Sequence, residues 1–323
     1  MSIRSKLNVF VCLTYPQYVI ADIFAKEIYR NDGQGSLIIL KYISMSKPKE
    51  KRYAKYLIIQ KNFIGKIITG FFSYFAMCVF LLKKNISLYY FNDRDPISIG
   101  ISKISKKTIL IEEGMGTYYD APSIPVIGKS IPPDIAYIGY PELYRKTHND
   151  NTKLIKIIYK ELYSELNMKS YFKQEGFHAS GDLLILGQTT EDCQKLREYE
   201  INFINNLLER FPDKKIIIKP HPRDLHPEEY NRSCNCLIIE SGISNKSIES
   251  IMYNIDCNNY FSLFSSAGIT VANVFQNSRV IFGIGIYDIG FGVTCTQLIN
   301  FTKYLNNIYF PDSIEDVINI LGW

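Results

Sequence analysis

Short apolar runs rich in β-branched and aromatic residues alternate along this chain with longer stretches whose apolar positions recur at helical spacing. No other feature constrains the fold as strongly. A strand that returns parallel to its predecessor needs a helical crossover, and a parallel sheet is buried on both faces. "NVFVCL" (8–13) reads as a first strand and "YVIADIFAKEIYR" (18–30) as the helix behind it. "GSLIILKY" (35–42), "ISLYYFN" (86–92) and "KTILIEEG" (107–114) read as further strands, with the helix-like "DPISIGISKISK" between the last two.

The pattern then restarts. "DLLILGQ" (182–188) and "KKIIIKP" (214–220) flank a charged amphipathic helix, "EDCQKLREYEINFINNLLERF" (191–211), which makes a fresh βαβ unit. A chain of 323 residues exceeds one ordinary core. The expectation is an α/β protein with two Rossmann-like lobes: residues 1–150, then 181–305. Residues 151–180 read as a polar connection with one helical segment, "KLIKIIYKELYSEL" (153–166), and residues 306–323 as a C-terminal helix capped by Asp312 or Ser313. Two such lobes, with their sheets facing a central cleft, would bind ligands at the carboxyl ends of the strands.

Charge and cysteine content narrow the partners. With 37 basic and 32 acidic residues mixed along the chain, the net charge of +5 is too mild for nucleic acid. It allows contact with an anionic substrate or membrane surface. The seven cysteines are odd in number and lack framework spacing, and "CNC" at Cys234 and Cys236 is too tight for a zinc site. Reduced thiols in a cytoplasmic protein are the expectation.

The N-terminal apolar run, Val9 to Leu13, is too short for a signal peptide. "IITGFFSYFAMCVFLL" (67–82) is uncharged and flanked by Lys66, Lys83 and Lys84. As a helix it spans about 24 Å, short of the ~30 Å hydrocarbon core. It reads as a buried or interface helix, with peripheral contact at the inner face of the plasma membrane as the alternative.

Each strand gives way to a polar, turn-forming segment. After the first comes Thr14-Tyr15-Pro16-Gln17; after "TILI" come Glu112 and Glu113, then Gly114 and Gly116. After "LLIL" come Gly187 and Gln188; after "IIIK", which ends on Lys219, comes Pro220-His221-Pro222-Arg223. After "NNYFSLF" come Ser265 and Ser266, opening a helix. Paired carboxylates at a strand end, partly desolvated, can reach general-base range, and the two glycines let the backbone turn close to a ligand. Serines at a helix N-terminus cap it and can also hold an anion.

His221 can give a proton or pair with a phosphate near neutrality, and Pro222 restricts it to an extended conformation. Glu249 is either a solvated helix residue or a ribose-hydroxyl acceptor. Walker, GxGxxG and HExxH motifs are absent. "DRD" (93–95) is the one metal-pair candidate, and its central Arg94 favours a salt-bridged loop. These residue types point to a metal-free site for an anionic leaving group.

The acidic pair with glycine, the His-Pro pair and the Ser-Ser pair, in this order, resemble the three signature motifs of bacterial sialyltransferases. "VFVCLTYPQYVIADIF" is similar to the start of glycosyltransferase family 52, which includes lipooligosaccharide and capsular polysaccharide sialyltransferases. The resemblance runs from about residue 8 to 290. It implies a GT-B fold, CMP-N-acetylneuraminate (CMP-Neu5Ac) as donor, and an inverting transfer with no metal or other cofactor.

By that resemblance Glu112 or Glu113 deprotonates the acceptor hydroxyl. His221 protonates or stabilises the departing CMP, Ser265 and Ser266 hold its phosphate, and Lys219 and Arg223 support its charge. Glu249 contacts the ribose, Gly187 and Gln188 line the donor side, and Thr14, Tyr15 and Gln17 line the cleft. Two glutamates stand where relatives carry an Asp-containing pair, so the choice of base stays open. The implied acceptor is a glycan, galactose-terminated, of a bacterial capsular polysaccharide or lipooligosaccharide, and a homodimer is compatible with the sequence. Three alternatives remain: a CDP-glycerol or ribitol phosphotransferase of the teichoic-acid type, a glucosyltransferase of the same family, and a non-catalytic component of a polysaccharide assembly complex.

Overall fold

The structure is a computed structural model that describes residues 6–41, 48–59, 85–93, 95–112, 114–118, 132–148, 150–164, 171, 177–188, 194–221, 224, 226–230, 233–240, 247–287, 299–300 and 304–323. The apolar segment 67–82 lies outside them, as do Glu113, Pro222 and Arg223. The chain divides into two compact units, Met1–Ile158 and Tyr159–Trp323.

In the first unit the strands are β1 (Lys6–Cys12), β2 (Ser36–Lys41), β3 (Ala54–Ile59), β4 (Asn85–Tyr90), β5 (Lys107–Ile111), β6 (Ile135–Ile138) and β7 (Lys153–Lys156). They form one parallel sheet in the order β3-β2-β1-β4-β5-β6-β7. The centre is the most apolar part: Val9, Phe10, Val11, Ile38, Ile39 and Leu88 are fully or almost fully buried, as expected where helices cover both faces. Phe10 stacks on Tyr89 of the neighbouring strand, ring centroids 4.3 Å apart.

Helix α1 (Tyr15–Asp32) starts at a capping box. Thr14 Oγ1 accepts from Gln17 N–H, and Gln17 Oε1 accepts from the amides of Leu13 (2.6 Å) and Thr14 (3.3 Å). Further along, α2 (Pro96–Ser102) and α3 (Pro141–Thr147) each begin with proline in the first turn, where its missing N–H costs nothing.

In the second unit the six-stranded sheet runs β11 (Cys236–Ile238), β10 (Ile216–Lys219), β9 (Leu183–Leu186), β13 (Asn259–Ser262), β14 (Arg279–Phe282) and β15 (Ile308–Tyr309), all parallel. A small separate pair joins β8 (Ala179–Ser180) to β12 (Ile255–Asp256). Helices α4 (Gln194–Arg210), α5 (Ser266–Val274) and α6 (Ile314–Leu321) complete it. Leu183, Ile185, Phe203, Leu207, Ile216, Ile218, Phe261 and Val317 belong to one core, with Phe203 of α4 stacked on Phe261 of β13. Ser313, not Asp312, caps α6, accepting from Asp316 N–H. Cys12, Cys234, Cys236 and Cys257 are free thiols.

Renumbered from one, the second sheet's order is 3-2-1-4-5-6, and the first sheet has the same order with one strand added. Both are doubly wound, with switch points between β1 and β4 and between β9 and β13.

The expected helix at 153–166 forms instead as β7 and a single turn, Tyr159–Leu162. Its first four residues complete a ladder on β6, from Ile135↔Lys153 to Ile138↔Lys156. An open sheet edge captured a segment whose apolar spacing also fitted a helix. Residues 151–158, read as connection, therefore belong to the first unit, and residues 306–323 to the second.

Candidate active site

The second unit ends three neighbouring strands side by side at its switch point. Past β9 the backbone continues the ladder for one step, Gly187 N–H donating to Lys219 O at 2.9 Å. A Cβ at Gly187 would lie 3.1 Å from the His221 amide nitrogen, 3.1 Å from Tyr230 Oη and 3.2 Å from Lys219 O. A side chain here would be tightly crowded, and glycine lets these groups approach without displacement. Gln188, buried, sends Nε2 to Ser262 Oγ at 2.7 Å across the switch point. Ser262 Oγ also accepts from the Ser265 amide at 2.9 Å. Ser265 caps α5, its Oγ accepting from Ala267 N–H at 3.2 Å, and Ser266 is the first helical residue. A polar chain thus runs from β9 through β13 to a helix N-terminus, where amides and hydroxyls favour an anion.

On the other side of β9, Lys219 is 4 % exposed, and Nζ donates to Pro220 O at 3.1 Å. Burial pushes its ammonium down to about 8, with Glu249 opposing the shift. Glu249 is half-buried on the single turn Ile248–Ile251. His221 is half-buried, two residues beyond the end of β10, and its carbonyl accepts from Asp224 N–H at 2.9 Å. The structure thereby gathers Gly187, Gln188, Lys219, His221, Glu249, Ser265 and Ser266 on neighbouring strand ends and the turns beside them. It adds Ser262, whose sequence signal is a lone polar residue closing an apolar strand.

In the first unit Glu112 directly follows β5 and is buried. Its Oε2 accepts from Tyr118 Oη at 2.7 Å and from Gly139 N–H at 2.6 Å, and Tyr118 Oη in turn accepts from Tyr140 N–H at 3.0 Å. Burial and the Glu112 carboxylate push the Tyr118 phenol far above its usual range. This carboxylate therefore ties the end of β5 to the end of β6, through charge-assisted bonds of about 1.5–3 kcal/mol each. Gly114 adopts φ 115, a conformation that L side chains rarely enter, and it turns the chain into the 3-10 segment Met115–Tyr118, which contains Gly116.

Thr14 and Gln17 are occupied as the α1 cap. Tyr15 is half-buried on the same turn, and burial raises its phenol. In "DRD", Asp95 caps α2, accepting from Ser98 N–H and Oγ at 2.9 and 3.1 Å. The cation paired with it is Lys41, at the end of β2, in a buried ion pair. Arg94 lies outside the described residues.

A doubly wound parallel sheet in each unit is the arrangement of the GT-B class of glycosyltransferase fold. Whole-chain likenesses agree. The α/β-galactoside α-2,3-sialyltransferase of Photobacterium phosphoreum is 12% identical with TM-score 0.55, covering 97% of this chain and 99% of that one. The UDP-GlcNAc 2-epimerase of Methanocaldococcus jannaschii is 13% identical with TM-score 0.59, covering 98% and 92%. Arabidopsis thaliana UGT89C1 is 10% identical with TM-score 0.55, covering 99% and 89%. At such identities the likeness carries the fold alone.

The family is given by a sequence match. The alpha-2,8-polysialyltransferase (POLYST) family model matches residues 83–283, well over half of the chain, from the approach to β4 to just past β14. The chain belongs to that family, and so to the sialyltransferases among the glycosyltransferases. The match includes Glu112, Lys219, His221, Glu249 and both serines, and excludes the α1 cap. No curated protein matches the chain. Among the described residues, no helix is long and apolar enough to cross a membrane.

Proposed function

We propose that this protein transfers N-acetylneuraminic acid from CMP-Neu5Ac to a glycan acceptor of a bacterial surface polysaccharide, with inversion and without a metal ion. The observation that carries the reading is the second switch point, where the Gln188–Ser262–Ser265 chain leads to the N-terminus of α5 and Lys219 and His221 stand at the end of β10, on the other side of β9. CMP carries one phosphate, and a cationic lysine, a histidine and a helix N-terminus suffice to neutralise it. In the reaction the acceptor oxygen bonds to the anomeric carbon of the sugar. The bond from that carbon to the phosphate oxygen breaks, and its electron pair leaves with CMP.

The acceptor proton goes to one of the adjacent carboxylates Glu112 and Glu113. Glu112 Oε2 already accepts from Tyr118 and Gly139, and our reading gives the role to its neighbour Glu113, with Glu112 as the alternative. His221 stabilises or protonates the departing phosphate, Ser265 and Ser266 hold it, and Glu249 reaches the ribose. The family's name adds a second class of acceptor, one ending in sialic acid itself, to the galactose-terminated glycans.

The test is CMP release and product analysis with CMP-Neu5Ac, using galactose-terminated and sialic acid-terminated acceptors, against CDP-glycerol as the rival donor. CMP release with a sialylated product is expected, and use of CDP-glycerol alone would overturn the reading. Oriented donors at a developing charge contribute ~2.7–4 kcal/mol each. His221→Ala should therefore lower kcat on the order of 10²–10³-fold with little change in donor KM. Near-normal turnover in that variant would remove His221 from the mechanism.

A further inference from the structure

Helix α4 turns an apolar stripe of Leu196, Phe203, Ile204 and Leu207 to the core, and two charged residues stand beside it. Arg197 is 6 % exposed and Glu200 is fully buried. Arg197 reaches the loop that follows His221. Its Nη1 lies 2.8 Å from Asp224 Oδ2 and its Nε 3.0 Å from Glu229 Oε2, while Nη2 donates to the His226 carbonyl. The guanidinium sits 4.1 Å from the centroid of the Tyr230 ring. Tyr230, buried, donates to Glu200 Oε2 at 2.9 Å.

One end of this cluster bonds to His221, and the other comes close to it beside Gly187. Asp224, which Arg197 holds, donates its amide to the His221 carbonyl. The Tyr230 hydroxyl and the His221 amide nitrogen close on the same face of Gly187, each 3.1 Å from where a Cβ would stand. The cluster is costly to keep. Replacing buried ionic groups with hydrophobes often stabilises a protein, and the Glu200 carboxyl is fully buried. Burial pushes the Glu200 carboxyl up to about 7, against the Tyr230 hydroxyl, Arg197 and the Gln188 N–H, with Asp224 adding to the rise. A position that only filled the core would be better served by leucine.

We propose that Arg197, Glu200 and Tyr230 form a brace that positions His221, fixing the end of β10 and the loop behind it from the α4 side. The three bond to one another and to the loop behind His221, so the role proposed for them is positioning, and the proposal rests on the donor-site reading of His221 given above.

The test needs a readout independent of turnover. The chain has only four histidines, so imidazole NMR of the ligand-free full chain isolates His221, assigned from His221→Gln. Tyr230→Phe keeps the ring under Arg197 and removes only the hydroxyl. It should move the His221 signals, leave those of His148 in the first unit in place, and lower kcat roughly 10-fold with donor KM little changed. Glu200→Leu should reproduce the His221 shift, and Glu200→Gln, which still offers the phenol an acceptor, should give a smaller one. Unmoved His221 signals in folded Tyr230→Phe would overturn the brace, whatever Glu200→Leu does. Moved His221 signals in a chain whose wild type ignores CMP-Neu5Ac would uphold the brace and sink the donor reading.

Discussion

Lys219→Met separates what the site costs from what it does. The ammonium is buried at the end of β10, and its titration is pushed from 10.5 to about 8. That depression corresponds to about 3 kcal/mol against the folded state. The sign is set by where each state is charged. Below pH 8 the folded and unfolded chains both carry the proton and the full penalty applies. It shrinks as pH rises from 8 to 10.5 and vanishes above. Methionine fills similar volume with no charge. The lost Nζ–Pro220 bond offsets about 1 kcal/mol, leaving a net gain of about 2 kcal/mol at pH 7.

The same change should weaken CMP binding. One charge-assisted bond is worth about 1.5–3 kcal/mol, or roughly 10- to 100-fold in affinity. Urea denaturation at pH 7 and pH 10 reads the first quantity, and calorimetric titration with CMP reads the second. Wild-type affinity for CMP should fall as pH passes 8, and this limb should be missing in the variant. A variant no more stable than wild type at pH 7, or one that binds CMP equally well, would refute the argument.

Two further outcomes are expected. Glu113→Gln should abolish transfer with the folded state intact, whereas Glu112→Gln, which weakens the bonds from Tyr118 and Gly139, should lower the unfolding free energy by about 1–3 kcal/mol. Transfer kinetics beside urea denaturation distinguish the two, and equal loss of activity at unchanged stability would reverse the assignment. Glu200→Gln removes a carboxyl whose folded-state titration is raised from 4.5 to about 7, a penalty absent below pH 4.5 and complete above pH 7. The stabilisation should be about 2 kcal/mol larger at pH 8 than at pH 5, and a pH-independent difference would contradict it.

Sequence periodicity alone placed most central strands and α4, because burial on both faces leaves apolar runs that hardly fit another element. It misread 153–156, where the unpaired edge of β6 decided between two conformations that the side chains allowed equally. The candidate site divides along the same line. His221, Lys219, Ser265 and Ser266 stood out as polar residues placed where strands stop. Gln17 stood out for the same reason, and the fold spends it on a helix cap.

Glu200 shows the limit most clearly. In the sequence it is one more acid in a charged helix, although it falls in step with Leu196, Phe203 and Leu207. Its burial, its bond to Tyr230 and its bearing on His221 exist only once α4 lies against the sheet. The sequence by itself determined most of the central strands and which residues stand at their ends. Tertiary structure decided which of those residues meet, and that Glu112 is tied to Tyr118 and Gly139, because hydrogen-bond partners and desolvation come from segments far apart along the chain.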